Sequence, residues 1–190
     1  MSPMVGREAM ESVYGSRELV TLDEATLTPV GHEPTRAFLR DVGLPSWMGW
    51  FEMDRRLEEG DVRVGGEPWR NVARRYPGCT LDMSSWLSLG GIALDDVAVD
   101  TVTGVVHCIP ESGAAPHRLN SGIDELAFFL LALERERPQY DPESDTVEVD
   151  PEGAAERLLR LMRDTEPGVM ENPDCCWFSV LGHVRNLLRV

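Results

Sequence analysis

"LDDVAVDTVTGVVHCIPESGAAPHRLNSGIDELAFFLLALERE", residues 94 to 136, changes its hydrophobic period halfway along. The first half alternates. Val97 and Val99 share one side of a strand, Val105, His107 and Ile109 share one side of the returning strand, and Gly104 supplies the positive φ of the turn between them. In the second half Ile123, Leu126, Ala127, Leu130 and Leu133 recur at helical spacing, Ser121 with Asp124 three residues on matches a capping box, and Pro138 stops the helix. Phe128, Phe129 and Leu131 fill much of the opposite side, so this helix is expected to pack on more than one surface. A hairpin feeding a doubly buried helix points to a layered α+β arrangement.

Upstream, "EPTRAFLRDVGLP" (33–45) reads as a short helix opened by Pro34 and closed at Gly43, and "WMGWFEMD" (47–54) as an aromatic strand. Residues 54–78 mix six arginines with acids, glycines and prolines, which predicts an exposed connection with one or two helical turns. "SSWLSLGG" (84–91) reads as a buried strand whose paired glycines let it bend or approach a neighbour closely. Downstream, "YDPESDTVEVDPE" (140–152) is acidic and turn-rich, with a short strand expected at "TVEV". Asp150 and Pro151 then open a helix with Ala155, Leu158, Leu159 and Met162 on one face. A last helix from near Pro173 carries Trp177, Val180, Leu181, Val184, Leu187 and Leu188 as a stripe. The expectation is a single α+β domain with a central, mostly antiparallel sheet flanked by helices. Residues 1–33, weakly patterned, would be an N-terminal extension and residues 34–190 the domain proper.

Composition narrows the function. At 190 residues and 42% hydrophobic, the chain is long enough to bury roughly 70% of its unfolded surface without staples. The net charge of −15 repels phosphate backbones and anionic membranes and favours a basic partner. All 18 basic residues are arginine, which removes Schiff-base, Walker A and kinase-strand lysine chemistry. Cys79, Cys108, Cys175 and Cys176 show no C-x-x-C spacing and read as reduced thiols. The start "MSPMVGREAMES" lacks the apolar core of a signal peptide, and "LAFFLLAL" (126–133) is too short to span a bilayer, so a cytoplasmic protein is expected.

Catalytic equipment is hard to find. His32, His107, His117 and His183 match no metal-ligand spacing; a fold could gather His107, Cys108 and His117, but half-buried polar roles are the simpler reading, and no metal or cofactor is expected. Cys175 and Cys176 precede the Trp177 stripe and read as packing at a helix start. Asp141, Glu143, Asp145 and Glu152 fall at positions 1, 3, 5 and 12 of an EF-hand loop, yet Thr146 stands where the sharp turn wants Gly, so a solvated acidic loop is expected there. Asp95, Asp96 and Asp100 are ordinary in so acidic a chain, and Trp47, Trp50 and Trp69 read first as packing residues.

The order "RAFLRDVGLP", an aromatic strand, "WLSLGG", "VAVDTVTGVV", "RLNSGIDELAFFL" and "MRDTEPGVMENPDCCWFSVLGHV" resembles the SUKH superfamily of bacterial immunity proteins, in particular its fourth family, over about residues 34 to 188. The resemblance rests on Gly43-Leu44-Pro45, Leu89-Gly90, Asp100, Gly104, Val106, Asn120-Ser121, Phe128, Asp164, Pro167 and Trp177. These read as structural: Gly104 for the turn, Asn120 or Ser121 for a cap, Phe128 and Trp177 for the core. The long arginine-rich segment 54–78 and the "DD" at 95–96, where a glycine-rich turn is usual, depart from the pattern. The resemblance implies a cytosolic protein that binds a polymorphic toxin stoichiometrically, often a nuclease or deaminase with a basic active surface. Charge and position make Asp95, Asp96, Asp124, Glu125, Asp141, Glu143 and Asp145 the expected contacts, with Trp50 or Trp69 as anchors. A scaffolding adaptor and an enzyme using a carboxylate pair or the Cys175–Cys176 region are the alternatives.

Overall fold

The structure, a computed structural model, describes residues 4–141 and 149–186. The expected hairpin is present as β6 (Asp95–Asp100) and β7 (Val106–Ile109), paired antiparallel with Val97 opposite Cys108 and Val99 opposite Val106. Gly104 turns at φ 79, and a side chain there would also strike the ring of His32. Around this hairpin lie β3 (Trp47–Met48), β4 (Phe51–Met53), β5 (Trp86–Ile92) and β8 (His117–Asn120), giving a six-stranded sheet in the order β3-β4-β5-β6-β7-β8 with every neighbour antiparallel. A second, two-stranded sheet pairs β1 (Leu19–Val20) with β2 (Leu44–Pro45). The α+β expectation with a central antiparallel sheet holds.

Helix α5 (Ile123–Glu136) lies on one face of the sheet and buries residues all round: Leu126, Ala127, Phe129, Leu130 and Leu133 are at most 1% exposed. Phe129, not Phe128, is the fully buried ring, and it meets Trp177 edge-on at 5.4 Å. The capping box at its start does not form. Gly122 is the N-cap and makes no side-chain cap; Ser121 instead bonds Glu166, and the Asp124 carboxylate accepts from the backbone N–H groups of Met4 and Val5. The signature is local, but two distant partners win its side chains. Helices α6 (Pro151–Thr165), capped by Asp150 as expected, and α7 (Cys176–Asn186) complete this side.

Residues 5 to 30 carry little pattern in sequence, yet helix α1 (Arg7–Tyr14) and the segment after it place Val5, Met10, Tyr14, Leu22, Leu27 and Val30 in the main core. The backbone N–H of His32 bonds the carbonyl of Thr101, and the same ring caps helix α2 (Glu33–Asp41), so the segment is tied to the β6–β7 turn.

Three further expectations change. "WMGWFEMD" is not one strand but the tight hairpin β3–β4, reversing at Gly49 and Trp50. "HRLN" (117–120), to which the sequence pattern assigns no element, is strand β8. Residues 54–78 carry more helix than an exposed connection: α3 (Arg55–Glu58) and α4 (Glu67–Arg75), the latter burying Val72. Of the strand expected at "TVEV" (146–149) only Val149 is described, exposed and in no strand, and the end of the Trp177 stripe, Leu187 and Leu188, lies outside the described residues. Among the described residues no helix is long and apolar enough to cross a membrane.

Candidate protein-binding cleft

The six strands present two unlike faces. Leu87, Leu89, Val97, Val99, Val106 and Leu119 join the main core with the helices. On the other face α4 packs Val72 and Trp69 against Trp86, Ala98 and Ile109, a second and much smaller core. Trp69 meets Trp86 edge-on at 5.5 Å, and His107 stacks on Trp86 at 4.3 Å. This cover reaches only part of the face. Over β4, β5 and the start of β6 a cleft of about 1230 Å³ remains, lined by Trp50, Glu52, Asp54, Arg56, Ser88, Gly91, Leu94, Asp95, Asp96 and Arg137 among others. A second cleft of about 740 Å³ adjoins it under α4, sharing Asp54, Arg56, Ser88 and Asp96 and reaching Trp69.

Register explains the cleft floor. Glu52 opposes Gly91, and Gly91 opposes Asp96, so the three form one row across β4, β5 and β6. Side chains in a row point to the same face, and the middle one is missing. The exposed carboxylates of Glu52 and Asp96 therefore stand two strand spacings apart, about 10 Å, with bare backbone between them. Lost solvent raises the pKa of Asp96 above the usual carboxylate value, with Asp54, Asp95 and Glu111 adding repulsion against the opposing pull of Arg75. Beside the row, β5 bulges between Ser88 and Gly90. Gly90 sits at φ 144 with its Cα against the β4 backbone, where a Cβ would collide with the carbonyl oxygen of Glu52 and crowd Met53. Gly90 thus does both things the sequence suggested of the pair, bending the strand and letting the β4 backbone approach closely, while Gly91 leaves the row without a central side chain.

At the rim, the β5–β6 turn holds Ala93 at φ 57, a conformation that costs a non-glycine residue free energy, and presents Leu94 82% exposed. A strained turn that holds an exposed apolar side chain beside a cleft makes Leu94 a candidate contact residue. Neither Leu94 nor Glu52 was singled out from sequence. The exposed apolar residue between Ala93 and Asp95 was the available signal for Leu94, whereas Glu52 becomes visible only once register is known.

The expected contact residues divide. Asp96, Asp95, Trp50 and Trp69 are brought together along the two clefts. Asp95 is already engaged: one carboxylate oxygen accepts from the Glu111 N–H at 3.0 Å and the other lies 3.7 Å from Cys108 Sγ. Trp50 is half-buried, donating from Nε1 to the Tyr140 hydroxyl at 3.0 Å, which in turn donates to the Leu133 carbonyl. Asp124 and Glu125 lie apart, at the start of α5; Asp124 holds the N-terminal backbone, and lost solvent together with the nearby Glu166 raises the pKa of Glu125. Asp141, at the other end of α5, lies 3.8 Å from Arg137. Glu143 and Asp145 fall outside the described residues.

No curated protein and no solved structure matches the chain significantly. The model of the SUKH-4 immunity proteins matches residues 5–183, from just before α1 through most of α7 and with both clefts inside the match. The chain belongs to the SUKH-4 immunity protein family, whose role is immunity to a toxin.

Proposed function

We propose that the protein neutralises its toxin in the cytoplasm by covering a basic active surface, of nuclease or deaminase type, with the half-open face of its sheet, one immunity protein to one toxin domain. The observation that carries this reading is the Glu52–Gly91–Asp96 row. It presents two exposed carboxylates on a rigid sheet, with Leu94 on one rim and Trp69 on the other. A chain of net charge −15 would steer a basic partner toward such a floor and repel the nucleic acid that partner would otherwise grip. Of the acidic residues proposed from sequence, Asp96 contributes most directly, while Asp95 and Asp124 act mainly by holding the scaffold.

The test is binding to the toxin domain encoded at the same locus, measured across a salt series. Reversing Glu52 and Asp96 to Lys together is expected to weaken the complex about 10- to 100-fold, chiefly through slower association, and to flatten its salt dependence. Glu156→Lys, on the exposed side of α6, should change neither. Equal loss from Glu156→Lys, or unchanged binding in the double reversal, would place the interface elsewhere.

A further inference from the structure

The end of the sheet nearest α7 gathers side chains that no motif in the sequence links. Cys108 on β7 is the direct cross-strand partner of His117 on β8 and stands opposite Val97 on β6, so Asp95, two residues before Val97, shares their face. The first residue of α7, Cys176, meets them from the helical layer. Ligand atoms of Asp95, Cys108 and Cys176 all lie within 4.8 Å of one another, and both sulfurs belong to residues no more than 2% exposed.

His117 stands beside the group as the cross-strand neighbour of Cys108. Its Nδ1 lies 3.2 Å from the carbonyl oxygen of Ala115 and donates to it, which leaves the lone pair on Nε2. That Nε2 is sealed from solvent without a well-formed hydrogen bond. A backbone-tethered Nδ1–H with a free, buried Nε2 is the arrangement that orients a metal-binding imidazole. Left without a ligand, the group is a poor way to fill an interior, since buried polar atoms cost free energy unless they are satisfied.

We propose that Cys108, Cys176, His117 and Asp95 bind a zinc ion that fastens the start of α7 to the ends of β6, β7 and β8. Two thiolates, one imidazole and one carboxylate suit a tetrahedral, borderline-soft cation; calcium and magnesium would demand more oxygen ligands than this site offers. On binding, each thiol releases its proton to solvent as its Zn–S bond forms, and the imidazole binds neutral. With four protein ligands the ion has no open position for substrate, so its role is structural. It also bears on the cleft. Asp95 is the residue next to Asp96 and follows Leu94, so the metal would stiffen the turn that carries the rim of the binding surface.

The experiment uses the full chain, purified under reducing conditions with any affinity tag removed. The wild type is expected to retain about one zinc per chain after dialysis. The metal-free protein should take up the same amount of cobalt(II), with the thiolate charge-transfer band and strong d–d bands of a tetrahedral site. Zinc should protect Cys108 and Cys176 from alkylation while Cys79 reacts. Cys108→Ser and Cys176→Ser should lose the charge-transfer intensity, and Asp95→Asn and His117→Gln, at half-exposed positions that spare the core, should each weaken binding about 10-fold or more. Should the serine variants fail to fold, the wild-type cobalt spectrum and the two half-exposed variants decide alone. Absence of stoichiometric uptake by the wild type, a cobalt spectrum without thiolate bands, or a Cys108–Cys176 disulfide in the reduced preparation would overturn the site.

Discussion

On one face of the central sheet, Val97, Val99, Val106 and Leu119 lie beneath helices drawn from both ends of the chain; on the other, only α4 and the segment that follows it, through Met83, cover Trp86, Ala98 and Ile109, and the β4–β5–β6 end stays open. The same six strands supply both. Strand β6, "DDVAVD", shows the division within six residues: its central Val-Ala-Val is wholly buried because both faces are covered there, while Asp96, in the clefts beside α4, is exposed. The difference separates tasks. The many-helix face supplies stability, and the sparsely covered face can hold exposed charge and a strained turn because little of the core depends on it.

The strongest way to break this comparison is to empty the covered face. Phe129→Ala removes a ring with no exposure, wedged between the sheet and Trp177, and is expected to cost about 3–5 kcal/mol in denaturant unfolding. Trp69→Ala on the α4 side removes a half-exposed ring from a cluster of few residues and should cost about 1–2 kcal/mol. If the two losses came out equal, the division of labour between the faces would fail.

Gly90 tests the open end directly. A Cβ there meets the β4 backbone at a φ that side chains rarely adopt, so Gly90→Val should destabilise the fold by about 1–3 kcal/mol and push β4 away from β5. That displacement would also pull Glu52 out of line with Asp96. Toxin binding should therefore fall by more than the fraction of unfolded protein explains, as measured by titration well below the unfolding midpoint.

How far the sequence discloses this arrangement depends on the range of the interactions. Strands β6 and β7 and helix α5 are legible because their periods, two and then 3.6, are properties of neighbouring residues. Strand β8 is not, since "HRLN" offers four residues without clear alternation, and its strand state depends on pairing with β7. Ser121 and Asp124 mislead for the related reason that a local capping pattern was outbid by Glu166 and by the N-terminal backbone. At the cleft, Asp95, Asp96, Trp50 and Trp69 were within reach as residue types, but the row Glu52–Gly91–Asp96 exists only in the register of three strands. The meeting of Asp95, Cys108 and Cys176 likewise needs two strands and a distant helix that only the fold brings together.

The smallest effect sharpens the comparison through pH. His107 lies on the α4 side, stacked on Trp86 and 6% exposed, and its buried Nδ1 has no hydrogen-bond partner among the described residues. Burial lowers its pKa to about 4, with His117 and Arg118 adding to the shift and Asp100 opposing it. An unfolded histidine titrates near 6.5. Between these values the unfolded chain binds a proton that the native chain refuses, so this contribution is complete above about pH 6.5 and is lost as pH falls toward 4. His107→Phe keeps a flat ring on Trp86 and removes the titration. Near pH 7 its stability should stay within about 1.5 kcal/mol of the wild type, while the decline between pH 6.5 and 4 becomes shallower in thermal or urea unfolding. An unchanged acid slope would mean that the ring is solvated, and hence that α4 covers its side of the sheet even less completely than the Trp86 stack implies.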